Sequence, residues 1–384
     1  MELDLSPMIQ TLTARRLTTP QDIIDHPVIT IKDGLIESIE SAASSSDDTT
    51  LTPAFLDIHT HGAANHDVME ATPAALCTIG RFLATRGVGQ YLATTVTAPI
   101  DKTLRSLEGI ANAIETQSRD GATLIGIHLE GPFISHIKRG VHPEDDILPP
   151  SIELFDRFQQ AARGHIRLMT IAPEVPGAVD LIAHAAKQGV RLSLGHSNAT
   201  ASETQEAVVA GATTATHTFN AMRSLNHREP GIIGTVLDDD HLFAELICDG
   251  IHVAPELVRL WLKAKGAERA ILVTDSMSAT GMPDGDYMLG TFHVTVANGR
   301  CYLADDLSRG THTLAGSVLT MDRAVANLQA FTGATLATAV RLATINPATM
   351  LGLDSPLAPG QPANFNRFTA EGQLKSTILH GAPI

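Results

Sequence analysis

Apolar and polar positions change period several times along this chain. Val28 to Lys32 and Leu35 to Glu40 are β-rich runs joined by Asp33-Gly34, a strong two-residue hairpin signal. Near the other end, Asn364 to Thr369 and Gln373 to Leu379 flank Glu371-Gly372 in the same way, and Ser41 to Thr50 is a polar, Ser- and Thr-rich link. Between the hairpins, β-rich runs near 54–59, 90–96, 123–129, 166–171, 190–195, 213–218, 243–249 and 270–275 alternate with segments of helical period. Leu104 to Ile114 and Ala201 to Ala210 are examples. Eight β runs separated by crossovers predict a parallel sheet, and eight strands close a TIM barrel. The expected fold is therefore α/β. A TIM-like (β/α)8 barrel occupies 53–344, and a small β-sandwich domain is built from both termini, 1–52 and 345–384.

The first central run ends in chemistry: Phe55-Leu56-Asp57-Ile58-His59-Thr60-His61-Gly62. Side chains two apart in a strand share a face, so His59 and His61 present paired imidazoles of the kind a divalent metal takes as ligands. Asp57 lies one step back on that face, where it could orient a ligand histidine. A hairpin edge with two solvated histidines would give the same local pattern. Position along the chain separates the two readings. His128 and Glu130 end the third run, His196 the fifth, His217 the sixth and Asp275 the eighth. Barrel enzymes place their catalytic groups at these strand ends. Any one of these residues alone fits an ordinary core or loop role, but the set predicts a metal site.

Imidazoles and carboxylates suit zinc, with iron, manganese or cobalt as alternatives, and Glu130 could bridge two ions. Such an ion brings the pKa of a bound water to about 7. Asp275 is then a candidate general base that later returns the proton to a leaving group. No Walker A loop, HExxH, GxSxG elbow or Rossmann fingerprint competes.

Charge narrows the partners. Forty-two acidic residues against 27 Lys and Arg give a net charge of -15, which argues against nucleic acid and anionic membranes. An anionic substrate must therefore meet a local basic site. No apolar run approaches the ~18 residues of a membrane span. Glu2 and Asp4 stand where a signal peptide would be basic, and Cys77, Cys248 and Cys301 lack CxxC spacing. A cytoplasmic location is expected.

Longer runs carry a resemblance. They are Asp57-Ile58-His59-Thr60-His61-Gly62, His128-Leu129-Glu130-Gly131-Pro132-Phe133, Gly195-His196-Ser197-Asn198-Ala199 and His217-Thr218-Phe219-Asn220-Ala221-Met222. Arg228-Glu229-Pro230-Gly231, Asp249-Gly250-Ile251-His252 and Thr274-Asp275-Ser276-Met277 follow. Together they resemble the N-acetylglucosamine-6-phosphate deacetylases of the amidohydrolase superfamily, over nearly the whole length. The resemblance implies a metal-dependent hydrolase of amino-sugar metabolism. Its substrate would be a phosphorylated amino sugar, with the galactose epimer or another amide as alternatives. It implies Glu130, His196 and His217 as ligands of the principal metal. A second metal would be held by His59, His61, Glu130 and Asp275, giving one or two ions per subunit. It makes Asp275 the acid/base and has His142 polarise the acetyl carbonyl. It also gives Asn220, the Ala221 backbone, Arg228 and His252 to the sugar phosphate. In that family the arginine reaches across from a neighbouring subunit, which implies a homodimer.

Read as residues alone, Arg228 could instead pair with Glu229, His142 could belong to a basic loop, and His252 could cap a turn. Leu314-Ala315-Gly316-Ser317 fits the family and is expected near the acetyl group. One segment departs. Ala363-Asn364-Phe365-Asn366-Arg367-Phe368 replaces the usual Ala-Asp-Leu and its apolar strand, which puts packing of the small domain in question.

Overall fold

The structure is a computed structural model and describes residues 8–19 and 22–384. Glu2 and Asp4 lie outside the described residues. All eight expected barrel strands form: Phe55–Thr60, Val88–Thr95, Thr123–Glu130, Ile166–Ile171, Arg191–Leu194, Ala212–Ala215, Phe243–Ile247 and Ala270–Val273. They pair in chain order as one parallel sheet. The ends meet through a parallel bridge between Thr60 and Ser276, reinforced by Asp275 N donating to His59 O at 2.9 Å. Both faces of each strand are covered, which is why the runs read as nearly continuous apolar stretches. Every residue of Phe55–Thr60 is buried.

The intervening helices bury one stripe each. In Ile100–Thr116, Thr103, Leu107, Ile110 and Ala111 point inward at helical spacing. Ala201–Ala210 starts on a capping box in which Thr200 and Glu203 satisfy each other's backbone N–H groups.

The terminal segments assemble two further sheets. A six-stranded sheet runs Ala382–Pro383, Leu374–Leu379, Phe365–Phe368, Thr50–Pro53, Arg16–Thr18, Ile23–Asp25. A three-stranded sheet runs Ile9–Thr13, Pro27–Lys32, Leu35–Ser41. Leu17, Ile29, Ile31, Leu51, Phe365 and Ile378 share one apolar cluster, which draws residues from both sheets. Asp33 (φ 52°) and Gly34 (φ 81°) are both left-handed, as the tight hairpin requires.

The atypical C-terminal segment is accommodated by polar contacts. Buried Asn366 donates through Nδ2 to Gly87 O at 2.9 Å, and Asn364 Oδ1 accepts from His380 N at 2.9 Å. Arg367 pairs with Asp47 and donates to Thr49 Oγ1 at 3.0 Å.

One element was not anticipated. After the eighth barrel strand the chain inserts an antiparallel sheet, Gly285–Leu289, Phe292–Ala297 and Arg300–Leu303. It packs through Leu289, Val294, Val296 and Cys301 on Val96, Met277 and Ala315 near the barrel mouth. Further on, Ala348, Met350 and Leu351 of the helix Ile345–Leu351 join the barrel's own core cluster. Among the described residues, no helix is long and apolar enough to cross a membrane.

Candidate active site

Six side chains converge where the barrel strands end. Glu130 stands at the centre, 2% exposed. Its Oε1 faces His59 Nε2 at 3.5 Å, His196 Nε2 at 3.3 Å and His217 Nε2 at 3.4 Å. Its Oε2 faces His61 Nε2 at 3.2 Å. Asp275 Oδ1 lies 3.1 Å from His61 Nε2 and 3.5 Å from His59 Nε2. The His196 and His217 Nε2 atoms approach each other to 3.1 Å. His59, His61 and Glu130 sit on or just past regular strands. His196 (φ 46°), His217 (φ 28°) and Asp275 (φ 50°) follow their strands in the left-handed region, which turns each side chain back over the mouth. Such backbone costs of order 1–3 kcal/mol per residue.

Do these groups suit a cation? The far ring nitrogens answer first. His59 Nδ1 meets Glu245 Oε2 at 3.2 Å, His61 Nδ1 meets Thr94 O at 3.0 Å and His196 Nδ1 meets Lys138 O at 3.1 Å. A carbonyl only accepts, so His61 and His196 carry a proton on Nδ1, and in the neutral ring Nε2 presents a lone pair. Buried His59 Nε2 and Glu130 Oε1, aimed at the same space, have no hydrogen-bond partner among the described residues. Electrostatics agrees. Burial pushes the Glu130 carboxyl up, but His59, His196 and His217 outweigh it and hold it well below the usual carboxylate range. Asp275 is likewise raised by burial and then lowered further by His59 and His61. In return, burial lowers His61, but Asp275 and Glu130 hold it up to about 9. The two carboxylates demand positive charge between them, and a divalent cation would meet that demand. The ligand atoms of His59, His61 and Asp275 lie within 4.8 Å of one another, as do those of Glu130, His142 and His196.

His142 nonetheless differs in kind from the ligands. Its Nδ1 accepts from the Thr97 backbone N at 3.2 Å and lies 2.8 Å from Thr97 Oγ1. The proton of the neutral ring must therefore sit on Nε2, which makes that nitrogen a donor and not a ligand. Burial first, then His196, pushes His142 down to about 3, so the ring stays neutral. Gly131 (φ 77°) protects the arrangement, because a Cβ there would run into Thr97 Oγ1.

A cavity of about 410 Å³ opens onto the cluster, and Lys138, His142, Asn220, Ala221, His252 and Leu314 line it. Asn220 Nδ2 donates to His217 O at 3.2 Å. His252 Nδ1 is 2.6 Å from Asp249 Oδ2; burial lowers this imidazole, but Asp249 more than restores it. Arg228 does not line the cavity of its own chain. It is exposed on a loop where its backbone N donates to Asn226 Oδ1 at 2.9 Å. Among the described residues no ion pair joins it to Glu229, whose Oε1 instead accepts from Ala201 N and Gly231 N.

Asp57 does not hold a ligand imidazole. Its Oδ2 accepts from Thr274 Oγ1 at 2.6 Å and its Oδ1 from His59 N at 3.3 Å, so it fixes backbone between the first and last strands. Burial raises it to about 6. Glu245 takes the place beside the His59 ring. It is a lone acid in the otherwise apolar strand Phe243–Ile247, and that isolation was the signal available in the sequence. Glu174, also unforeseen, braces the loop behind His196 by accepting from Ser197 Oγ at 2.8 Å and Asn198 N at 2.6 Å.

Residues 50–383 match the amidohydrolase family. The chain belongs to that family. Metal dependence is general among amidohydrolases, and this one has the donor groups for it. This amidohydrolase is 36% identical over 379 residues to the N-acetylglucosamine-6-phosphate deacetylase of Bacillus subtilis (strain 168), covering 95% of this chain and 94% of the relative. It is 39% identical over 358 residues to an N-acetylgalactosamine-6-phosphate deacetylase of Escherichia coli O157:H7, covering 92% and 93%. A mutant N-acetyl-D-glucosamine-6-phosphate deacetylase from Mycobacterium smegmatis, solved in complex with N-acetyl-D-glucosamine-6-phosphate, superposes with a TM-score of 0.91 at 33% identity. It covers 98% of this chain and 99% of that one. The corresponding enzyme from Thermotoga maritima gives 0.88 at 33%, covering 98% and 99%.

Proposed function

We propose that this amidohydrolase hydrolyses the acetamide of N-acetyl-D-glucosamine 6-phosphate to D-glucosamine 6-phosphate and acetate. The observation that carries the reading is the tautomer of His142. Its Nε2–H is a neutral donor in the same cavity as the ionised Asp275 carboxylate. An amide needs both: a donor for the carbonyl oxygen as it gains charge, and a base for the proton of water. Asp275 takes that proton and delivers it to the departing nitrogen, so the C–N bond breaks to a free amine and an acetate. A divalent cation bound among the six residues would supply Lewis acidity, bringing the pKa of a water to about 7.

One or two ions per subunit, zinc in preference to iron, manganese or cobalt, would suit the mixed nitrogen and oxygen set, with Glu130 among the donors to either. Glu130, His196 and His217 would hold the principal ion, and His59, His61 and Asp275 the second. Asn220, the Ala221 backbone and His252 would bind the sugar phosphate, with Asp249 orienting the His252 ring through Nδ1. Exposed Arg228 would complete the phosphate site from a second subunit of a homodimer, its guanidinium forking onto phosphate. The three free thiols suit the reducing cytoplasm. The division into a small domain (1–52 and 345–384) and a barrel (53–344) belongs to the same reading, with the helix Ile345–Leu351 as the join packed on the barrel core.

Acetate release from N-acetylglucosamine 6-phosphate, its galactose epimer and unphosphorylated N-acetylglucosamine tests the proposal. The glucose epimer should be fastest and the unphosphorylated sugar slowest. Equal rates with and without phosphate would remove the phosphate site, and a faster galactose epimer would reassign the substrate. Asp275→Asn should abolish nearly all release, and near-normal turnover in that variant would remove the acid/base role.

A further inference from the structure

Glu245 is fully buried on the seventh barrel strand, Phe243–Ile247, beneath the cluster rather than in the cavity. One oxygen, Oε2, does two jobs. It lies 3.2 Å from His59 Nδ1 and accepts from the His217 backbone N at 3.3 Å. Oε1 has no partner among the described residues. His59 and His217 belong to the two different ligand groups, and their rings lie 5.5 Å apart. On the far side of the His59 ring, Nε2 faces Glu130 and Asp275. An isolated carboxylate in a dry strand is costly, so a neutral residue would be the stable choice unless the contact itself matters.

We propose that Glu245 is a positioning residue for the metal centre: its Oε2 takes the Nδ1–H of His59, turning the Nε2 lone pair towards Glu130 and Asp275, and ties that ring to the backbone of His217. His61 has a different arrangement, since a main-chain carbonyl, Thr94 O, performs the same task. No side-chain change alters that carbonyl's identity, whereas the His59 arrangement depends on a replaceable side chain. The second metal position is thus set by residue 245. The inference rests on the metal reading given above, and its test separates the two.

Metal content and metal affinity, measured by elemental analysis and chelator competition on folded protein, provide the readout. Glu245→Leu removes the acceptor, Glu245→Asp withdraws it by one methylene, and Glu245→Gln keeps an oxygen in reach of both N–H groups. Leu and Asp should lower affinity at the His59 position by about 10- to 100-fold, the scale typical of lost outer hydrogen bonds to metal ligands. Metal content should fall towards one ion per subunit. Gln should retain the second ion better than Asp. That order opposes what conserved charge alone would give, and it remains readable if the Leu variant fails to fold. Asp retaining metal better than Gln, or folded variants all matching the parent, would overturn the positioning role. A parent protein that binds no metal at all would instead overturn the metal reading itself.

Discussion

The two halves of the ligand cluster are made in different ways. His59 and Glu130 lie on strands, and His61 one residue past one, with backbone that needs no left-handed turn to aim them at the mouth. His196, His217 and Asp275 each require a left-handed residue just past a strand. The first half follows from ordinary strand geometry. The second carries backbone strain that only the surrounding contacts can maintain, such as Glu174 on the Ser197–Asn198 loop and Asp275 N on His59 O. Ligands held by strain are fixed in place, while ligands on a flat strand can be exchanged without disturbing the backbone. The proposed principal group thus combines bent His196 and His217 with strand-borne Glu130, and the proposed second group combines strand-borne His59 and neighbouring His61 with bent Asp275.

Removing a bent ligand should have the largest effect. His196→Ala is expected to eliminate detectable acetate release and most bound metal together; a variant that kept either would erase the distinction between the halves. Next comes His59→Gln combined with His61→Asn, which should lower the metal content towards one ion per subunit and leave measurable turnover. An unchanged ion count by elemental analysis would refute the exchangeable role of the strand pair.

Arg228→Ala touches neither half. A lost charged contact is worth about 1.5–3 kcal/mol, so KM for the phosphorylated sugar should rise at least tenfold while kcat is largely kept. A fall confined to kcat would place Arg228 elsewhere. The smallest effect is expected from Gly131→Ala, which pushes on Thr97 and so on His142 without altering a metal ligand. Turnover should drop by less than the roughly 10²–10³-fold that losing the donor outright would cost, with metal content unchanged, and parallel loss of metal would show that the donor and the ligands are not separable.

Most of the scaffold is legible in the sequence. Each of the eight strands lies within a few residues of its apolar run, because a strand covered on both faces leaves a compact apolar signature. His59 and His61 were legible through period two, and the bent residues through their place after successive runs. Their left-handed geometry was not legible, since no residue type in Gly195-His196 or Thr274-Asp275 demands it. Tertiary partners were hidden for the same reason. Asp57 has the right spacing to reach a neighbouring ring, yet Thr274, distant in sequence, claims its carboxylate. Glu245 sits where strand propensity predicts an apolar side chain, and only the folded barrel shows what it faces. The inserted sheet Gly285–Leu303 is only partly buried, so its short strands mix apolar with polar residues and carry no continuous apolar run.

The sheet shared by the two chain ends has a consequence for biosynthesis. Thr50–Pro53 pairs with Phe365–Phe368, so an early strand waits with an open edge while the whole barrel emerges from the ribosome. Until the late partner arrives, that edge is available to any other extended segment. Asn366, reaching from the late strand to Gly87 at the foot of the barrel, then fastens the finished halves together. A nascent chain halted before Phe365 would hold a nearly complete catalytic barrel beside an unsealed, self-associating edge.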